Sequence, residues 1–126
     1  MIRILLVEDD PVIRDTTSYF LKCQQNFEVV CADTGGEALS HAREKFDVIL
    51  MDIKMPVMDG YEATSAIRKL SPDIPIVAVT AFAYPEDMRR ILSSGFDGCL
   101  PKPVSADGLK KKIAELYPVW CRRSCH

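Results

Sequence analysis

Asp52 closes the apolar run Asp47-Val48-Ile49-Leu50-Met51, and Glu8-Asp9-Asp10 close a similar run, Ile2-Arg3-Ile4-Leu5-Leu6-Val7. Short runs of this kind, rich in branched residues, are the mark of strands buried on both faces of a parallel sheet. A third run, Ile74 to Thr80, ends on a hydroxyl, and the minimal strand Cys99-Leu100 leads into Lys102. In open α/β sheets the carboxyl ends of the strands line the ligand crevice. Glu8, Asp9, Asp52, Thr80 and Lys102 are therefore expected to meet at one edge. Three carboxylates together repel and raise one another's pKa values unless positive charge neutralises them. A hard divalent cation such as Mg²⁺, taking oxygen ligands, does so, and Lys102 adds a point charge. A carboxylate beside such a cation, a lysine and a hydroxyl suits acceptance of a phosphoryl group, because that transfer needs chiefly positioning and neutralisation of three equatorial oxygens. Asp52 would be the nucleophile.

The elements that must carry these residues alternate. Pro11 opens a helix that Asp9 or Asp10 can cap and that runs to about Gln24, with Val12, Ile13, Thr16, Phe20 and Leu21 on one face. Phe27 to Ala32 is a second strand, closed by Asp33-Thr34-Gly35-Gly36, and Ala38, Leu39, Ala42 and Phe46 mark a second helix. After the Asp52 strand, Met55-Pro56 breaks the pattern, Asp59-Gly60 signals a turn, and Tyr61 to Leu70 is a third helix. Pro75 lies near the start of the Ile74 to Thr80 strand. Pro85-Glu86-Asp87 opens a fourth helix with its acids at the favourable end of the dipole, and Gly95 stops it. After the rigid turn Pro101-Lys102-Pro103, Ser105 caps a last helix whose Leu109, Ile113 and Leu116 face the core and which ends at Pro118. Five strand–helix repeats with crossovers of this length predict an α/β fold, a parallel sheet with helices on both faces. The spacing places one domain over residues 1–117, followed by an aperiodic tail, 118–126.

Composition narrows the function. The 126 residues fit one domain, and 48% hydrophobic with 27% charged residues is ordinary for a globular protein. A net charge of -2 offers no footprint for nucleic acid or a membrane surface. Arg89-Arg90 and Lys110-Lys111-Lys112 read as solvated helix faces. No run is long enough to span a bilayer and no signal-peptide pattern opens the chain, so a cytoplasmic location is expected. The five cysteines, at positions 23, 31, 99, 121 and 125, are odd in number and include no Cys-x-x-Cys, which points to free thiols. Cys121, Cys125 and His126 supply three zinc-ligand types, but a chain end with three ligands makes a poor closed tetrahedral site.

From Ile2 to about Leu116 the chain resembles the receiver domain of two-component response regulators. The resemblance rests on four motifs in order: Leu5-Leu6-Val7-Glu8-Asp9-Asp10, the block Met51-Asp52-Ile53-Lys54-Met55-Pro56-Val57-Met58-Asp59-Gly60, Thr80-Ala81, and Lys102-Pro103. It implies a flavodoxin-like, doubly wound (βα)5 sheet of strand order 2-1-3-4-5 and a cis peptide before Pro103. It implies Asp52 as phosphoacceptor, Mg²⁺ held by Asp9, Asp52 and the backbone carbonyl of Lys54, and Glu8 acting on the metal mainly through water. Thr80 and Lys102 would hold the phosphoryl oxygens. The donor would be a histidine kinase or a histidine phosphotransfer protein, and weak homodimerisation is compatible with the family. The wording from Pro56 to Thr64 looks most like receivers of hybrid sensor histidine kinases, so the domain would be the cytoplasmic part of such a protein or a stand-alone regulator. Two departures stand out. Cys99 takes the place of a usual aromatic, so the Thr80 to Tyr84 loop and the fourth helix are expected to read out activation; and Glu8 replaces the commoner Asp. Lys54 and Phe82 would border the path of attacking water and slow loss of the phosphoryl group.

Blander roles compete at single positions. An aspartate at a strand end is commonly a cap or turn former, the role expected of Asp10 and Asp59, and Cys99 can be a small core residue. Two other functions share the fold class. An aspartyl-phosphate phosphatase of the haloacid dehalogenase type needs a second Asp where Lys54 stands, so turnover on free substrates is not expected. A flavodoxin-like nucleotide carrier needs a phosphate loop where Glu8-Asp9-Asp10 would repel the ligand.

Overall fold

The computed structural model of the chain describes residues 2–41, 43–55, 58–81 and 84–124, with 117–124 as backbone alone. Ala42, Pro56, Val57, Phe82, Cys125 and His126 lie outside the described residues.

Five parallel strands alternate with five helices. The strands are β1 (Ile2–Val7), β2 (Phe27–Ala32), β3 (Val48–Asp52), β4 (Ile76–Thr80) and β5 (Gly98–Pro101); the helices are α1 (Pro11–Lys22), α2 (Gly35–His41), α3 (Gly60–Leu70), α4 (Pro85–Ser93) and α5 (Ala106–Ser124). The sheet order is β2-β1-β3-β4-β5. Alternating residues of each strand feed two apolar layers. Leu5, Val7, Ile49, Met51, Ile76 and Ala78 meet Ala38, Ala63, Ile67 and Ile91 on one side. Ile4, Leu6, Leu50, Val77 and Val79 meet Leu21 and Leu109 on the other. Burial of each large aliphatic side chain contributes roughly 1.5 to 3 kcal/mol. Those layers hold the strand ends in register, and with them the polar residues that follow.

The structure corrects several local expectations. The buried face of α1 is Thr17, Ser18 and Leu21, whereas Val12 and Phe20 are 72% and 56% exposed; Ile13 and Thr16 also face outward. α2 ends at His41, and Phe46 reaches the core from the loop beyond it. β4 begins at Ile76, after Pro75, whose carbonyl accepts from the Ile49 amide at 2.9 Å. Pro118 does not end α5, which continues to Ser124. A proline removes one amide donor and stops a helix only where that loss outweighs the turns beyond it.

Asp10 caps α1 as expected, and Asp59, expected as a turn residue, caps α3. Oδ1 of Asp10 accepts from the Val12 and Ile13 amides at 2.9 and 3.2 Å, and Oδ1 of Asp59 accepts from the Glu62 amide at 2.9 Å. Ser105 Oγ accepts from the Gly108 amide at 3.0 Å. The Lys102–Pro103 peptide is cis.

Candidate functional site

Register brings the polar residues together. Val7 pairs with Met51 across β1 and β3, so Glu8 and Asp52, one step further on, leave the sheet side by side. Asp52 pairs with Val79, which puts Thr80 next along β4, and Thr80 pairs with Pro101, which delivers Lys102. The Lys102 amide donates to the Thr80 carbonyl at 2.9 Å. All four sit at the carboxyl edge because every strand points the same way.

Lys102 Nζ lies 3.0 Å from Asp52 Oδ1 and 3.1 Å from Glu8 Oε2. Glu8 and Asp52 are buried, and Asp9 and Lys102 are half-buried. One oxygen each from Glu8, Asp9 and Asp52 lie within 4.8 Å of one another. Burial pushes the Glu8 carboxyl above its ordinary range, opposed by the hydrogen bond from Lys102, while the Asp52 charge pushes it further up. Burial likewise raises Asp52, again against the pull of Lys102. Burial works to neutralise the Lys102 ammonium, but its hydrogen bonds to Asp52 and Glu8 win and its pKa is raised. One ammonium, in contact with two carboxylates, thus serves a cluster of three. The excess negative charge and all-oxygen donor set fit a hard divalent cation better than a soft one.

The loop after Asp52 is pressed against the sheet by α3. Gly60 donates its amide to the Ile53 carbonyl at 2.8 Å, and a Cβ at Gly60 would stand 2.4 Å from the Asp52 carbonyl oxygen and 2.8 Å from Ile53 Cα. Only a residue without a side chain allows this approach. The sequence marked Gly60 as a turn signal and missed that role. Lys54, two residues past Asp52, is exposed.

At the opposite edge, Arg68 makes a second polar cluster that no sequence signal singled out. Its Nη2 donates to Asp97 Oδ2 at 2.7 Å and its Nε to the Gly95 carbonyl at 2.9 Å. It also donates to the carbonyls of Pro72 and Ile74, while Asp97 Oδ2 accepts from the Ile76 amide at 2.9 Å. This pins the starts of β4 and β5 to the end of α3. Cys99 is half-buried against the core, its thiol pushed up by burial. Cys23, Cys31 and Cys99 are free thiols, as expected.

A strand-end aspartate gripped by a lysine, flanked by two further acids on a 2-1-3-4-5 sheet, defines a phosphoacceptor switch of two-component signalling. The chain belongs to the response regulator receiver domain family, whose model matches residues 4–114. It is 40% identical over 112 residues to the sensor histidine kinase RcsC of Salmonella typhi, a match that spans 88% of this chain and 12% of that kinase. Among solved structures it resembles the chemotaxis protein CheY4 of Vibrio cholerae, at a TM-score of 0.82 and 36% identity, covering 91% of this chain and 98% of that one. It also resembles the receiver domain of the sensor histidine kinase PA1611 of Pseudomonas aeruginosa, with a TM-score of 0.79, 35% identity and coverage of 90% and 94%. That receiver has a magnesium ion coordinated in its active-site cleft.

Proposed function

We propose that Asp52 accepts a phosphoryl group from the phosphohistidine of a histidine kinase or phosphotransfer protein. Mg²⁺ would be held by Asp9, Asp52 and the backbone carbonyl of Lys54, with Glu8 acting on it mainly through water. The observation that carries this reading is the contact of Lys102 Nζ with Asp52 Oδ1 at 3.0 Å beside two more carboxylates. An Asp52 carboxylate oxygen attacks phosphorus, the donor P–N bond breaks, and its electron pair stays on the imidazole nitrogen. The Lys102 ammonium exchanges its contact with Asp52 for a phosphoryl oxygen, and the Thr80 hydroxyl, on the adjacent strand end, donates to another. When bound, Mg²⁺ supplies positive charge to the phosphoryl oxygens.

The donor has an apolar surface within reach. α1 starts at Pro11, two residues after Asp9, and Val12, Tyr19 and Phe20 stand exposed along it, the two rings edge to face at 5.6 Å. A protein donor that covers the site can bury this helix face as well. Val12→Ser with Phe20→Ser is expected to slow transfer from a protein donor and leave labelling by acetyl phosphate unchanged.

We read residues 1–117 as the receiver unit, acting only on its own phosphoryl group, as a stand-alone regulator or as the cytoplasmic receiver of a hybrid kinase. The part that resembles RcsC supports the second setting. Among the described residues no helix is long and apolar enough to cross a membrane. Mass spectrometry after incubation with acetyl phosphate and Mg²⁺ tests the acceptor. The native chain should gain one phosphoryl group and Asp52→Asn none; incorporation into Asp52→Asn at a rate near the native one would overturn the assignment.

A further inference from the structure

α4 is lightly tied to the rest of the domain. Of its nine residues Ile91 alone is buried, and among the described residues no side-chain hydrogen bond caps its N-terminus. Met88 and Leu92 are exposed along it. Arg90, which by sequence is a solvated charge, makes the exception: its guanidinium carbon sits 4.2 Å from the centroid of the Tyr61 ring. That ring belongs to the second residue of α3, and it meets the Phe96 ring edge to face at 5.8 Å between centroids. The residue before Tyr61 is Gly60, whose amide donates to the Ile53 carbonyl and which lies so close to the Asp52 peptide that a Cβ there would stand 2.4 Å from its carbonyl oxygen. A continuous path therefore runs from the phosphoacceptor backbone through the first turn of α3 to a cation stacked from α4. Beside it, Ile53, Lys54, Met55 and Asp59 line an open groove that gives the arginine room to leave the ring.

We propose that the Tyr61–Arg90 stack is a latch holding α4 against the phosphoacceptor loop in the conformation in which Lys102 grips Asp52. The proposal rests on Asp52 being the acceptor. Phosphorylation takes Lys102 away from Asp52 and works against the latched arrangement. By linkage, whatever weakens the latch strengthens binding of a phosphoryl group or its mimic, because a ligand and a contact that favour opposite states oppose one another by the same free energy.

The experiment measures beryllofluoride affinity with Mg²⁺ on the full chain, together with amide hydrogen exchange of residues 85–93 without either. A partly exposed cation–π contact is worth enough that Arg90→Ala should bind beryllofluoride about two- to five-fold tighter than native. Its α4 amides should also exchange faster. Arg89→Ala removes the same charge one residue away and should match the native chain in both readouts, and Tyr61→Phe, which keeps the ring face, should match it too. Arg90→Ala with the same affinity as Arg89→Ala, or a weaker one, overturns the latch. If the native chain does not bind beryllofluoride, the phosphoacceptor reading fails, and exchange alone decides: faster α4 exchange confined to Arg90→Ala supports the latch, and equal exchange removes it.

Discussion

Lys102 Nζ sits between Asp52 Oδ1 at 3.0 Å and Glu8 Oε2 at 3.1 Å, and it is one ammonium for two buried carboxylates whose pKa values are both raised. Two carboxylates are thus buried around one cation, an arrangement that costs stability.

Asp52→Asn should therefore stabilise the metal-free protein near neutral pH. A group whose folded pKa lies above its unfolded value contributes stability that is present below the unfolded pKa and lost as pH rises through the folded one. The native chain should accordingly lose ground to Asp52→Asn as pH climbs out of the acid range. Lys102→Ala should do the opposite and destabilise at neutrality, because it leaves Glu8 and Asp52 without their cation. The raised pKa of Lys102 keeps its contribution in place until the pH passes the ordinary lysine range. Urea unfolding in chelator across pH measures all three, and a native chain more stable than Asp52→Asn at pH 7 contradicts the account.

Mg²⁺ affinity should fall more on Asp9→Asn than on Glu8→Gln. Glu8 spends an oxygen on Lys102, whereas Asp9 is half-buried with its carboxylate in the same cluster. Titration calorimetry compares them, and equal losses would refute direct ligation by Asp9 alone of the pair.

Gly60→Ala should weaken Mg²⁺ binding and lower stability together, since a methyl group 2.4 Å from the Asp52 carbonyl oxygen forces the Asp52–Ile53 segment out of place. Gly36→Ala, whose added carbon meets nothing nearer than Thr34 Oγ1 at 3.9 Å, serves as the control and should leave the affinity unchanged.

Thr64→Val should stabilise the domain. Thr64 is fully buried and its Oγ1 finds no hydrogen-bond partner among the described residues. Valine has the same shape without the hydroxyl, and removing an unsatisfied buried group is worth roughly 1 to 3 kcal/mol. An unchanged or lowered denaturation midpoint would mean that the hydroxyl is satisfied in solution.

The order of strands and helices and the meeting of Glu8, Asp9, Asp52, Thr80 and Lys102 at one edge were determined by the sequence itself. Short apolar runs that stop on polar residues define buried strands, and a parallel sheet sends all their carboxyl ends one way. Other features were decided only by tertiary structure. The periodicity of α1 favours Val12 and Phe20 as its core face, yet the sheet accepts Thr17, Ser18 and Leu21. Pro118 is a stop signal by local propensity, and α5 passes through it. The bare Gly60 against the Asp52 peptide, the Arg68 cluster with Asp97, and the stacking of Arg90 on Tyr61 each join residues from different elements. Propensity and period describe a residue by its neighbours along the chain. Close approach, ion pairing and stacking depend on the distance between elements, which exists only once the layers have packed.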